Sequence, residues 1–215
     1  MLEEMAAFFN ARADGYEEHQ LECIAGAKEF YPYTAGLLPK GEDVMVLDLG
    51  CGTGLELNEY FKLNPQARVT GIDLSEGMLR TLAGKFPKQD IALICDSFFT
   101  VPLGRGWYDA AVAVESLHHF TAEEKRALYR KVYDALKPEG YFILTDYVAP
   151  SEAEAQSCRA ELARQKAAEN IPEDVLCHFD IPLTAEHELE TLRQAGFTAE
   201  ILRRWESTVT IRAKK

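Results

Sequence analysis

No stretch of this 215-residue chain approaches the roughly 20 consecutive apolar residues that a membrane-spanning helix needs, although 47% of its residues are hydrophobic. Basic clusters are equally scarce. Lys and Arg total 23 against 35 Asp and Glu, a formal net charge of −12. Adjacent basic residues occur only as pairs, such as Arg203-Arg204 and Lys214-Lys215. A phosphate-neutralising surface needs clustered Lys and Arg, so nucleic acid is not expected as a partner. An anionic membrane is not expected either. The five cysteines are odd in number and irregular in spacing, which excludes a disulfide framework. Reduced thiols point to the cytoplasm. The acidic start Met1-Leu2-Glu3-Glu4 lacks the basic-then-apolar pattern of a secretory signal. Internal repeats and low-complexity tracts are missing. The length fits a single domain with a substantial core.

Against these absences stands one dense segment, Val44-Met45-Val46-Leu47-Asp48-Leu49-Gly50-Cys51-Gly52-Thr53-Gly54-Leu55. An apolar run of strand length ends in an acid and then in three glycines. Such glycines mark a turn of positive φ or close approach. Leu55, Tyr60, Phe61 and Leu63 then read as a helix. The unit is strand, glycine turn, helix, with a ligand expected at the carboxyl end of the strand. Taken alone it serves nicotinamide, flavin, nucleotide or S-adenosylmethionine equally well. The dinucleotide spacing is G-x-G-x-x-G, whereas here the glycines are 50, 52 and 54. Asp48 so near the turn repels a pyrophosphate and suits a cation.

This segment resembles motif I of the class I S-adenosylmethionine-dependent methyltransferases, D/E-x-G-x-G-x-G, with Asp48, Gly50, Gly52 and Gly54 on its positions. The resemblance implies that Asp48 lies near the methionine moiety and that the loop, Cys51 included, passes close to the cofactor. Arg68 to Asp73 reads as a second strand ending in an acid, placed to accept ribose hydroxyls. Leu74 to Leu79 is similar to the family's second motif, with Ser75 as N-cap and Met78 near adenine. Ile91 to Cys95 is a third strand. Asp96 and Ser97 fall where the family holds the adenine, and Phe98 follows. Tyr108 to Glu115 is a fourth strand, followed by Ser116-Leu117-His118-His119-Phe120, which matches x-x-L-H-H-x. Leu136 to Asp146 matches the L-K-P-G-G turn and fifth strand, with Glu139 at a glycine position. The resemblance runs in order from about residue 35 to residue 147. It implies a doubly wound, Rossmann-like α/β fold with a seven-stranded sheet, mostly parallel, its last strand antiparallel.

Around this core the chain divides further. Residues 1–40 read as two helices, with breaks near Gly15 and at Tyr31-Pro32-Tyr33. Alternating strands and helices over 41–150 argue for parallel β-α units. Ser151 to Glu169 is polar and helical in propensity. The apolar connector Cys177 to Pro182 follows, and residues 151–182 are expected to form a lid with the N-terminal helices. Thr184 caps a helix closed by Gly196. Ala199 to Trp205 and Thr208 to Arg212 form a final hairpin across Glu206-Ser207.

Methyl transfer is an in-line displacement for which the cofactor supplies the electrophile. The protein positions the acceptor, excludes water and in some cases removes a proton. His118 and His119, beside the expected methyl group, are candidates for base or orienter; they could equally build the strand-end turn. Glu115 is placed to bind a substrate amine or hydroxyl, or to make a structural hydrogen bond. Asp146, with Tyr147, ends the fifth strand on the same rim. Tyr16 fits a family segment F-x-x-x-A-x-x-Y, with Phe9 and Ala13, whose tyrosine closes over the cofactor; the same spacing is also that of an amphipathic helix face. Cys177, His178, Asp180 and His187 do not have tight ligand spacing and read as packing, so no metal is expected. Cys51 reads as a small residue filling the turn, its thiol pushed up by Asp48.

The expected activity is cytoplasmic S-adenosylmethionine-dependent methylation of a small molecule, with a homodimer allowed by apolar residues on the N-terminal helices. A nicotinamide-dependent oxidoreductase, a non-catalytic S-adenosylmethionine binder, and another chemistry on the same cofactor remain open.

Overall fold

The computed structural model describes residues 1–215. Seven strands form one sheet in the order β3-β2-β1-β4-β5-β7-β6. They are β1 (Met45–Leu49), β2 (Arg68–Asp73), β3 (Asp90–Cys95), β4 (Tyr108–Val114), β5 (Leu136–Tyr147), β6 (Thr198–Trp205) and β7 (Thr208–Lys214). β7 runs antiparallel to both neighbours, and the other strand pairs are parallel. The chain reverses its order of travel between β1 and β4. The loops after those strands therefore part in opposite directions and leave a crevice at their carboxyl ends.

Helices cover both faces of the sheet. They are α1 (Met5–Arg12), α2 (Tyr16–Cys23), α3 (Ala27–Leu37), α4 (Leu55–Leu63), α5 (Glu76–Lys85), α6 (Ala122–Ala135), α7 (Glu152–Glu169) and α8 (Ala185–Gln194). The central strands are buried on both faces and so read as continuous apolar runs. Their side chains alternate between two cores. Leu47, Leu49, Ala111, Ala113, Phe142 and Leu144 enter one with α6 and α8 residues Leu128, Val132 and Leu192. Val46, Ala110, Val112 and Ile143 enter the other with Phe30, Leu57, Tyr60 and Leu82.

The N-terminal region differs from the sequence expectation. It contains three helices, and the break falls at Ile24–Gly26, where Gly26 takes φ 80°, rather than at Tyr31-Pro32-Tyr33. Pro32 lies inside α3 on an exposed position. Its ring removes one helical donor on the side where water can satisfy the orphaned carbonyl. Ser75, Thr121, Ser151 and Thr184 each cap a helix as their types predict. At Thr121 the Glu124 side chain completes a capping box. Residues 137–140, expected as a turn, fall within the bounds of β5 but bulge out of the ladder: Leu136 pairs with Tyr108 and Tyr141 with Ala110, and a Cβ on Gly140 would lie 3.0 Å from the Lys137 carbonyl. No helix is long and apolar enough to cross a membrane.

Between α6 and α8 lies a buried ionic cluster. Lys125 Nζ donates to Glu188 Oε2 at 2.6 Å, and the Tyr129 hydroxyl donates to the other oxygen of the same carboxylate. All three side chains are essentially inaccessible. Such a pair contributes little net stability, but removing one partner leaves the other charged and unsolvated. Glu188→Ala is expected to destabilise the fold by about 3–5 kcal/mol, read by urea denaturation. The double variant Lys125→Met/Glu188→Leu should lose clearly less than the single one. Equal losses would mean that the charges do not act as a pair.

Candidate active site

The glycine turn is fixed from behind. Gly50 has φ 71°, and a Cβ there would lie 2.5 Å from Ser116 Cβ. Ser116 Oγ in turn donates to the Leu49 carbonyl at 2.9 Å. This locks the end of β1 against the loop after β4. Gly52 (φ 49°) is different in kind, because a Cβ there would meet only the Tyr16 ring, at 4.0 Å. Its α-carbon faces open space between the strand ends. Gly54, at φ 74°, is the N-cap of α4. Cys51 fills the turn as expected, its Sγ pressed against Gly71. Burial first, and then Asp48, push its thiol up.

Asp73 braces this turn. Its Oδ2 accepts from the Gly52 N–H and its Oδ1 from the Ser75 N–H, each at 2.8 Å. Burial raises its pKa, and these two donors pull it back down. Asp73, Gly50, Gly52, Leu74, Met78, Phe98, Ser116 and Phe120 line one cleft. Asp96 and Ser97 are not among its lining residues. Asp96 Oδ1 accepts from the Ser97 N–H at 2.6 Å and from Thr100 Oγ1 at 3.3 Å. The open space in the cleft is about 50 Å³, below the roughly 300 Å³ at which ligand pockets begin. The rings of Phe9 and Tyr16 form its remaining wall.

Asp48 lies behind the turn, 1% exposed, and does not reach the cleft. Its Oδ2 and Glu56 Oε1, also buried, have no hydrogen-bond partner. Burial and the Glu56 carboxyl beside it hold the Asp48 pKa well above the carboxylate range. Burial likewise raises that of Glu56. Two buried carboxyls side by side disfavour ionisation of both. Glu56 was invisible in the sequence, where it reads as one more acid in the first turn of a helix.

A second cavity, of about 940 Å³, opens beside the first. Its floor is the end of β4. The strand stops at Val114, one residue short of the expected end, because Glu115 turns away at φ 49°. A non-glycine residue held there stores strain, which clusters at functional sites. Glu115 Oε1 accepts from Thr208 Oγ1 at 3.0 Å. Burial and the nearby Asp146 raise its pKa to about 7 against the opposing pull of His118. His118 Nδ1 lies 2.7 Å from Asp146 Oδ1. Asp146 is buried and does not line the cavity. It also accepts from the Leu117 N–H at 3.2 Å. Asp146, expected on the substrate rim, thus lies behind His118 and away from the cavity. Burial would lower the His118 pKa, but Asp146, Glu115 and Asp180 raise it to about 9. His119 is shifted down by burial and by the His118 charge.

The roof comes from two distant segments. Met5 N–H donates to the Leu176 carbonyl at 3.0 Å and His178 N–H to the Glu3 carbonyl at 2.9 Å. The Phe8 ring stacks on His178 at 3.6 Å between centroids, and the Arg12 guanidinium covers the Phe8 ring at 3.6 Å. Asn10 Oδ1 accepts from the Gly77 N–H at 2.8 Å and from Ser75 Oγ at 2.9 Å, which clamps α1 to the start of α5. Nothing in the sequence marked Asn10. The sequence group Cys177, His178, Asp180 and His187 is split by the fold. His178 and Asp180 line the cavity, Cys177 is buried, and His187 faces Glu152 at 3.7 Å. α7 supplies no lining residue, so the roof is narrower than residues 151–182 suggested.

Phe9, Tyr16, Glu115 and His119 line both spaces. The two therefore meet at one junction, walled by aromatic rings. The donor set around the cleft fits the cofactor that the resemblance implies. Asp73 offers a carboxylate to hydroxyls, Gly52 leaves its approach open, and Glu115 adds an acid at the junction for a ligand that carries a sulfonium and an ammonium.

The comparisons agree with this geometry. A family model described as "Methyltransferase domain" matches residues 46–140. A malonyl-[acyl-carrier protein] O-methyltransferase of Priestia megaterium is 28% identical over 125 residues, 58% of this chain and 44% of that protein. A tRNA (carboxymethyluridine(34)-5-O)-methyltransferase alkbh8 of Xenopus tropicalis is 25% identical over 178 residues, 82% of this chain and 26% of that one. The chain thus spans less than half the length of either relative. Among solved structures, the DhpI–SAM–HEP complex superposes with a TM-score of 0.71 at 20% identity, covering 97% of this chain and 95% of that one.

The burial of Asp48 and Glu56 has a measurable consequence. Unfolded, both carboxyls ionise near about pH 4; folded, both are raised. The stability they contribute is present below the unfolded value and is lost as pH rises through the folded one. Asp48→Asn is therefore expected to flatten the fall of Tm between about pH 5 and about pH 8, followed by thermal melts in parallel with the wild-type chain. Identical slopes would assign the pH dependence elsewhere.

Proposed function

We propose that this chain, which belongs to the class I S-adenosylmethionine-dependent methyltransferase family, methylates a small-molecule acceptor held in the 940 Å³ cavity. One observation carries the reading: the glycine-turn cleft and the larger cavity share the walls Phe9, Tyr16, Glu115 and His119. A group leaving the cleft at this junction passes directly into the cavity. When bound, S-adenosylmethionine supplies a methyl group already activated by its sulfonium. The chain's own residues do the rest. Asp73 accepts the ribose hydroxyls with the lone pairs left over from Gly52 and Ser75. Met78 and Phe98 give apolar walls to the adenine. Phe9 and Tyr16 move aside for entry and then close over the junction, which excludes water. Glu115 and His119 stand where the acceptor atom must lie, and orient it.

A small acceptor is favoured over tRNA or a carrier protein by charge and by enclosure. Arg12 is the only Lys or Arg lining the cavity, and it is paired with Glu3 at 2.9 Å. The formal net charge of −12 opposes a polyanion. The Xenopus relative acts on tRNA, so transfer to tRNA is the contrast to include.

Calorimetric titration with S-adenosylhomocysteine is expected to give micromolar affinity. Asp73→Ala removes the acceptor for the ribose hydroxyls and is expected to cost about 2–3 kcal/mol, an unchanged affinity removing Asp73 from that role. Release of S-adenosylhomocysteine should then depend on small polar acceptors. Turnover with bulk tRNA and none with any small molecule would overturn the acceptor assignment.

A further inference from the structure

The wall of the larger cavity carries a cluster of metal-ligating side chain types at the end of β4. His118 and His119 leave the end of β4 side by side, their ring centroids 4.1 Å apart. Asp180 reaches them from the connector before α8. Its Oδ1 lies 3.5 Å from His118 Nε2 and 3.2 Å from His119 Nδ1. These three donor atoms lie within 4.8 Å of one another. A cation bound at 2.0–2.1 Å in tetrahedral geometry separates its ligand atoms by about 3.4 Å. The two measured edges bracket that value.

The surroundings match those of a built centre. A ligating histidine donates its second nitrogen to a carboxylate, which fixes the tautomer and aims the other nitrogen. His118 Nδ1 faces Asp146 Oδ1 at 2.7 Å, and that carboxylate is 1% exposed. His118 Nε2 is thereby directed at Asp180. The Phe179 carbonyl, 3.2 Å from His119 Nδ1, accepts from that nitrogen in the cation-free site, a bond that gives way when the nitrogen ligates. Asp180 is half exposed, and the 940 Å³ cavity gives an entry path and room for ligands beyond the protein's own.

We propose that His118, His119 and Asp180 form a binding site for a divalent transition-metal cation of the Zn²⁺, Mn²⁺, Fe²⁺ or Co²⁺ class, with Asp146 as the residue that positions His118. Two imidazoles and one carboxylate suit these ions and disfavour Mg²⁺ and Ca²⁺, which take oxygen ligands. The open side of the cation faces the cavity. There it would hold an acceptor through an anionic oxygen and lower the charge cost of exposing that oxygen to the methyl group. This last role rests on the methyl-transfer reading; binding of the cation does not.

The test uses the full chain, stripped with a chelator and titrated with Zn²⁺, then with Co²⁺ for its ligand-field spectrum and with Mg²⁺ as control. One Zn²⁺ per chain is expected, with Mg²⁺ not competing. Asp180→Asn, on the accessible connector, and His119→Ala should weaken Zn²⁺ at least 100-fold. Asp146→Asn should weaken it 10–100-fold. His187→Ala and Cys23→Ser should leave it unchanged. A Co²⁺ spectrum with thiolate bands, loss of binding in Cys23→Ser, or no stoichiometric uptake by the folded chain would overturn the site. The methyl-transfer reading fails separately, by absence of S-adenosylhomocysteine binding and of turnover, and neither failure entails the other.

Discussion

The bond that the site depends on is the double acceptance by Asp73. One carboxylate, at the end of β2, receives the Gly52 N–H from the β1 turn and the Ser75 N–H from the cap of α5. It thereby holds the two loops at a fixed distance, and the crevice between them is the cleft. Ser75 passes the constraint on. Its hydroxyl accepts from the Met78 N–H and donates to Asn10, so the N-terminal helix is tied to the same point. The wall, the floor and part of the roof of the cleft thus hang on one side chain that is itself held by backbone donors.

The larger cavity is built on a different principle. Its floor is rigid, because β4 lies between β1 and β5 with both faces buried. Its roof is two short segments joined to each other by backbone bonds at Met5 and His178, and to the loop after β4 by the Ile181 N–H on the His118 carbonyl. A rigid floor with a roof assembled from distant pieces lets acceptor chemistry vary while the cofactor end stays fixed. The acid load follows the same division. Asp48 and Glu56 sit buried behind the glycine turn, while Glu115, Asp146 and Asp180 surround the paired histidines.

The strands and the glycine turn were legible because each obeys a local rule. A buried parallel strand is a short apolar run, Gly50 and Gly52 need positive φ, and Ser75, Thr121, Ser151 and Thr184 are caps wherever they stand. The errors lie where tertiary packing overrode a local signal. Pro32 marks a break in isolation, yet it fits inside α3 because its missing donor faces water. Residues 137–140 hold a turn signature and bulge out of β5 without a partner on β4, between the pairs Tyr108–Leu136 and Ala110–Tyr141. Glu56 looked like any acid in a first helical turn until the fold turned it inward onto Asp48.

The sequence by itself determined the order of the elements, the doubly wound sheet and the end of the sheet at which a ligand binds, since periodicity, caps and glycine turns are interactions between near neighbours. The tertiary structure alone decided which far-apart side chains share a wall. His118 and Asp180 are 62 positions apart, Asp146 and His118 28 positions apart, and no spacing in the chain relates them. Only the closure of the connector over the end of β4 brings them within a few ångströms, because the position of a loop that crosses a sheet edge is set by what it packs against and not by its own residues.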